Sequence, residues 1–179
     1  MSKTIVNKKF QVNVMNRVRI EKVIVHICVG ANRERLEKAY KLLELLTKQK
    51  PVHLKAKKTI KAFGISRKMP IAVMVTLRKE KAKEFLKKAL EAVDNKVKAS
   101  SFDEYGNFAF GIKEHLDIPG MKFDPHIGIF GMDIIVNLSK PGYRVKLRRF
   151  RRSKLGKNAR VSKEEAIEFI KQEFGVEVI

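Results

Sequence analysis

Apolar positions recur along this chain with two periods. Residues 20–29, IEKVIVHICV, are rich in β-branched side chains and have the length of a strand. Gly30-Ala31-Asn32 breaks the run, and Asn32 is a good N-cap for a helix starting just after it. Leu36, Ala39, Tyr40, Leu43 and Leu46 then repeat at helical spacing. Glu34 and Glu37 fall early in this helix, where its dipole favours carboxylates, and Pro51 is expected to end it. Val52-His53-Leu54-Lys55-Ala56-Lys57 alternates, predicting a strand with one lysine-bearing face. Residues 59–69 contain Gly64 and precede Pro70, and read as largely loop. Ile71, Val73, Val75 and Leu77 alternate with Ala72, Met74, Thr76 and Arg78, giving a strand with one core face and one face free for solvent or ligand.

A second amphipathic helix is expected over 79–94, with Ala82, Phe85, Leu86, Ala89 and Val93 on one side. Residues 102–116 and 132–138 look like further strands, separated by a loop containing Gly and Pro. A last helix starts at Ser162, where Ser162-Lys163-Glu164-Glu165 has capping-box spacing, and Gly175 can cap its end. Helices and strands do not alternate strictly and the later strands come as a group. The expected class is therefore α+β, a mostly antiparallel sheet with helices packed on one face. A single domain over 1–179 is expected, with a basic N-terminal extension at 1–14 and a long basic loop at 139–161. Such a sheet leaves its other face open to a ligand.

Composition changes the picture only through charge. The hydrophobic fraction, 44%, is ordinary and sufficient for one core. Forty Lys and Arg against nineteen Asp and Glu give a formal net charge of +21. Self-repulsion of that size is commonly relieved by a polyanion such as nucleic acid. A generally basic, solvated surface is the simpler alternative, and the distribution of charge argues against it. Residues 45–79 hold ten basic side chains and no acidic one, and residues 134–163 hold eleven and none. These windows carry the whole excess, and the rest of the chain is neutral. Two separated acid-free windows suit two parts of a phosphate footprint.

Other chemistry finds little support. Cys28 is the sole cysteine, so no internal disulfide can form, as expected in a reducing compartment. His26, His53, His115 and His126 lack metal-ligand spacing, and no nucleophile motif or phosphate-cradling loop is visible. The chain is expected to be no enzyme and to use no cofactor or metal. No charged-then-apolar leader opens it, and the longest apolar run, 71–75, is far too short for a bilayer. A soluble cytoplasmic protein without a membrane partner is expected.

Within the windows, KAKKTIKAFGISRK at 55–68 pairs cations with a glycine-containing tip that can reach into RNA, and Phe63 itself is expected to pack into the core. RVKLRRFRRSKLGKNAR at 144–160 has too few apolar residues for a core element, and a long loop that orders on RNA is expected. Gly106-Asn107-Phe108-Ala109-Phe110-Gly111 matches the aromatic strand of RNA-recognition motifs poorly, so core packing of Phe108 and Phe110 is the better reading. Gly128-Ile129-Phe130-Gly131 has the GXXG spacing of KH domains, but outside that motif's setting between helices.

Five blocks then carry a resemblance. They are RIEKVIVHICVG at 19–30, LLTKQKPV at 45–52, KAKKTIKAFGISRKMPIAVMVTLR at 55–78, GNFAFGIKEHLDIPGMKFDPHIGIFGMDIIV at 106–136 and RVSKEEAIEFIKQEFGV at 160–176. In this order they resemble the 5S-rRNA-binding ribosomal proteins called L-five in bacteria and archaea and L-eleven in eukaryotes, over residues 15–174. The resemblance implies an α+β fold whose sheet docks on 5S rRNA in the central protuberance of the large subunit. It puts His26, Gln49 and Thr76 at the family's polar docking positions, with His26 standing where Asn is usual. With them it makes Lys48, Lys50, Lys55, Lys57, Lys58, Arg78, Arg144, Lys146, Arg148, Arg149, Arg151, Arg152 and Lys154 the expected rRNA-binding set. The loop of Gly64, Ile65, Ser66, Arg67, Lys68 and Met69 matches the family loop that approaches P-site tRNA. Residues 120–131 match the part that bridges to a small-subunit protein. The 140–160 stretch is similar to the archaeal and eukaryotic branch, and its partner is open between 5S and the larger rRNA.

Overall fold

The computed structural model describes residues 14–179. The extension expected at 1–14 therefore lies, but for Val14, outside the described residues. The chain runs β1 (Arg19–Cys28), α1 (Arg33–Thr47), β2 (Val52–Lys55), β3 (Pro70–Leu77), α2 (Lys79–Glu91), β4 (Lys96–Val97), β5 (Phe108–Ile112), β6 (Met132–Ser139), α3 (Arg144–Leu147), α4 (Lys163–Phe174) and β7 (Glu177–Val178). Five strands form one sheet in the order β2-β3-β1-β6-β5, each antiparallel to its neighbours. β4 and β7 make a short parallel pair. This is the expected α+β architecture.

Strand alternation decides which side is covered. Val23, Val25 and Ile27 of β1, Val73, Val75 and Leu77 of β3, and Ile134, Val136 and Leu138 of β6 are buried on one face. Leu36, Ala39, Leu42 and Leu43 of α1 and Ala82, Phe85, Leu86, Ala89 and Leu90 of α2 close over them in one cluster. Ala166 and Ile170 of α4 join the same core. Each fully buried aliphatic side chain contributes about 1.5–3 kcal/mol, so this face fixes the register of the sheet.

Local chemistry sets the element ends. The Asn32 side chain accepts from Arg35 N–H at 3.0 Å to start α1. The helix ends at Thr47, before Pro51: Lys48 turns left-handed (φ 49) and its N–H donates to Glu44 O at 2.9 Å. At Ser162 the capping box is complete, with Ser162 Oγ accepting from Glu165 N–H and Glu165 Oε2 accepting from Ser162 N–H.

The strand expected over 102–116 is shorter. Asp103 carboxylate oxygens accept from Tyr105 N–H, Asn107 N–H and Asn107 Nδ2, folding 103–107 into a turn before β5. Gly106 there has φ +73, and a Cβ on it would meet Val161 at 2.5 Å. Past Ile112 the chain leaves the sheet and turns at His115–Asp117. Phe108 is buried and Phe110 packs against the core, as expected.

Candidate nucleic-acid interface

The other face of the sheet carries no helix. By register it presents Val52 and Leu54 of β2, Ala72, Met74 and Thr76 of β3, Lys22, Ile24, His26 and Cys28 of β1, Asp133, Ile135 and Asn137 of β6, and Ala109 and Gly111 of β5. The β2 strand thus differs from expectation. Its apolar residues Val52 and Leu54 face outward, whereas His53 turns toward the helices and stacks on Tyr40 of α1 at 5.0 Å. The strand also ends at Lys55, so Lys57 and Lys58 lie beyond it.

Polar groups punctuate this face. Gln49 Nε2 donates to Thr76 O at 3.2 Å, extending the hydrogen-bonded edge back beyond the start of β2. His26 Nδ1 lies 3.6 Å from an Asp133 carboxylate oxygen on the adjacent strand. Asn137 Nδ2 donates to Asn107 Oδ1 at 2.9 Å. The structure thus brings His26, Gln49 and Thr76 onto one surface. It adds Lys22, Asp133 and Asn137, which sequence reading missed. Alternation from His26 would have placed Lys22 there; the positions on β6 needed the strand order.

Charge collects at the ends of the sheet. Lys55, Lys57, Lys58, Arg67 and Lys68 belong to the connection leaving β2 and entering β3 at one end. Lys48, Lys50, Arg78 and the 140–161 segment lie toward the other end, beside the start of β1. The eight residues of β3 separate these ends by about 25 Å. The first window therefore reaches both ends of the open face, and the second joins it at one of them. Among the described residues, none of the candidate lysines and arginines forms an ion pair with a carboxylate.

The first connection is a closed finger. Ala56 N–H donates to Met69 O, Lys68 N–H to Ala56 O, and Ile60 and Ile65 exchange backbone bonds of 2.8 and 3.1 Å. Thr59 Oγ1 accepts from Arg67 N–H, and Gly64 supplies the left-handed residue at the tip (φ 64). Ser66 O accepts from Met69 N–H at the base of the finger. Phe63 does not enter the core: it is 71% exposed, because the short tip cannot fold its ring back over the sheet.

The second segment has more local structure than a plain loop. It includes the helical turn α3 and is pinned at both ends. Lys140 is buried, and its Nζ donates to Glu165 Oε1 at 2.7 Å. Val161 N–H donates to Tyr143 Oη at 2.9 Å, and the Arg160 guanidinium lies 5.6 Å over the Tyr105 ring. Burial alone would raise the Glu165 carboxyl, but the Lys140 ammonium and the Ser162 donors outweigh it and hold its pKa below the usual value. Between these pins Arg144, Lys146, Arg148, Arg149, Arg151, Arg152 and Lys154 are all exposed. Lys140 and Arg160 thus serve the fold, while the seven candidate cations between them face solvent.

Residues 113–131 leave the sheet at the finger's end. His115 N–H donates to Phe130 O at 2.9 Å, and burial holds the His115 imidazole below its ordinary pKa. Phe123 and Ile129 are exposed, and a cleft of about 360 Å³ lies between 127–130 and the start of α1. Among the described residues no group of three or more His, Cys, Asp or Glu could hold a metal, and no helix is long and apolar enough to cross a membrane.

With this geometry in hand, comparison with known proteins is specific. Residues 13–66 match the family "Ribosomal protein L5", and residues 70–169 match the C-terminal region of the same ribosomal family. The boundary between the two matches falls at the finger, inside one continuous sheet. "Large ribosomal subunit protein uL5" of Sulfurisphaera tokodaii is 56% identical over 169 residues, covering 94% of this chain and 96% of the relative. That of Pyrobaculum aerophilum is 57% identical over 164 residues, covering 92% of each chain. That of Methanosphaera stadtmanae is 50% identical over 166 residues, covering 93% of this chain and 99% of the relative. The chain belongs to the ribosomal protein L5 family, in its archaeal branch.

Proposed function

We propose that this protein is a structural constituent of the large ribosomal subunit that anchors 5S rRNA in the central protuberance through the open face of its sheet. As a ribosomal L5 protein it works in the cytoplasmic ribosome and is not an enzyme. The observation that carries the 5S reading is the uncovered face, whose hydrogen-bonding groups are mostly neutral, framed at both ends by cations without a carboxylate partner among the described residues. Sugar and base edges suit the neutral centre, and phosphates suit the ends. His26 would meet the RNA at the centre, and Gln49 and Thr76 would meet it between there and the end where Lys48 and Arg78 lie. Lys48, Lys50, Lys55, Lys57, Lys58 and Arg78 would hold its backbone, and the cations from Arg144 to Lys154 would hold 5S or the larger rRNA.

The finger from Gly64 to Met69 would approach P-site tRNA, since it projects from the sheet and carries Arg67 and Lys68 on the limb that returns from its tip. The 120–131 region, with exposed Phe123 and Ile129, suits a protein contact across the subunit interface. Binding of 5S rRNA is tested by titration across salt concentrations. If about six to ten phosphates are contacted, log affinity falls with log salt at a slope of about −5 to −9. A flat response would refute the reading. Arg67→Ala with Lys68→Ala should spare 5S binding and weaken P-site tRNA retention in reconstituted ribosomes; equal loss of both would remove the finger from tRNA.

A further inference from the structure

Inside the second basic window the chain turns back on itself. Ser153 N–H donates to Val145 O at 3.2 Å, and Arg148 Nε–H donates to Arg151 O at 2.8 Å. Arg151 adopts φ 49, a conformation uncommon for a residue with a side chain. These bonds close the turn, and Phe150 stands within it with 80% of its surface exposed. The ring forgoes the burial that Phe102 and Phe108 obtain in the core. Arg148, Arg149, Arg151 and Arg152 flank it, and none forms an ion pair with a carboxylate among the described residues.

An exposed ring with two arginines on either side of it in the chain sets two demands on a partner. It must supply a flat apolar surface and several negative charges at close spacing. Single-stranded RNA supplies both, because every unstacked base offers a π-face and every nucleotide a phosphate. Duplex RNA hides its base faces. A protein pocket would have to bring an acidic cluster around an apolar cleft. We propose that Phe150 is a stacking platform for an unpaired rRNA nucleobase, with the four arginines gripping the phosphates on either side. The proposal rests on the reading of the second window as an rRNA contact.

The chain contains no tryptophan, so Phe150→Trp puts a sole indole at the turn. The full-length protein is titrated with a short oligoadenylate and with duplex RNA of matching length. Oligoadenylate should quench the indole, and duplex RNA at equal occupancy should not. Phe150→Ala should bind oligoadenylate roughly tenfold more weakly than wild type, and Phe150→Leu no better than Phe150→Ala. Both should keep the wild-type salt slope, since no charge is removed. Phe150 lies outside the core, so these variants retain the fold. Wild-type affinity in Phe150→Ala, with a steep salt slope intact, overturns the platform and leaves the RNA reading standing. Binding of wild type that ignores salt removes the RNA reading and the platform with it. Unchanged RNA affinity in Phe150→Ala, with a ribosomal protein lost from reconstituted subunits, assigns the ring to a protein instead.

Discussion

Lys140 separates charge that serves the fold from charge that serves RNA. Its side chain is 5% exposed and its ammonium meets Glu165 Oε1 at 2.7 Å. Removing one partner of a fully buried ion pair costs about 3–5 kcal/mol. Here Glu165 keeps 44% of its side chain exposed and retains its Ser162 bonds, so water screens the orphaned carboxylate. Lys140→Met, which preserves the apolar stem, should therefore cost less, about 1–3 kcal/mol at neutral pH. The sign of the pH dependence follows from Glu165, whose folded pKa lies below the reference 4.5. Its stabilisation is fully present above 4.5 and is lost as pH falls through the lowered folded value. Urea unfolding of the two proteins should thus show a gap that is widest near neutrality and narrows in acid. The same variant, folded, should bind 5S rRNA with the wild-type salt slope. An unchanged unfolding midpoint, or a slope flattened as by loss of a phosphate contact, would refute this division of labour.

Gln49→Ala with Thr76→Ala should lower 5S rRNA affinity several-fold without changing the salt slope, because both are neutral groups on the open face; titration at two salt concentrations checks this, and wild-type affinity would make them structural only. His115 is held neutral by burial, with its folded pKa lowered from 6.5. Stability should therefore be full above pH 6.5 and fall as pH drops through the lowered folded value, more in wild type than in His115→Gln. Parallel urea midpoints across that range would exclude His115 as the source.

The core helices and central strands were legible because periodicity and punctuation agreed. Gly30-Ala31-Asn32 marks the β1–α1 junction, and Ser162 with Glu165 writes the last helix start directly into the sequence. The segment after Phe102 was not legible. Its aromatic residues mimic a long strand, and only the Asp103 carboxylate's three bonds reveal the turn. Charge counting located both windows, but it could not see that Lys140 is spent on Glu165. Nor could it see that the cations gather at the two ends of one sheet, since that depends on the β2-β3-β1-β6-β5 order. Phe63 was misread because a core is the usual place for an aromatic ring. The closed finger leaves no path for it to return.

The most direct test of docking on the open face uses Cys28, the chain's sole cysteine. It is exposed at the end of β1, on the same face as His26 and Ile24. Its alkylation rate is measured on the free protein and on the protein saturated with 5S rRNA at low salt. Docking on this face predicts strong protection by 5S rRNA, relieved as salt dissociates the complex. An equal rate with saturating RNA bound would contradict it.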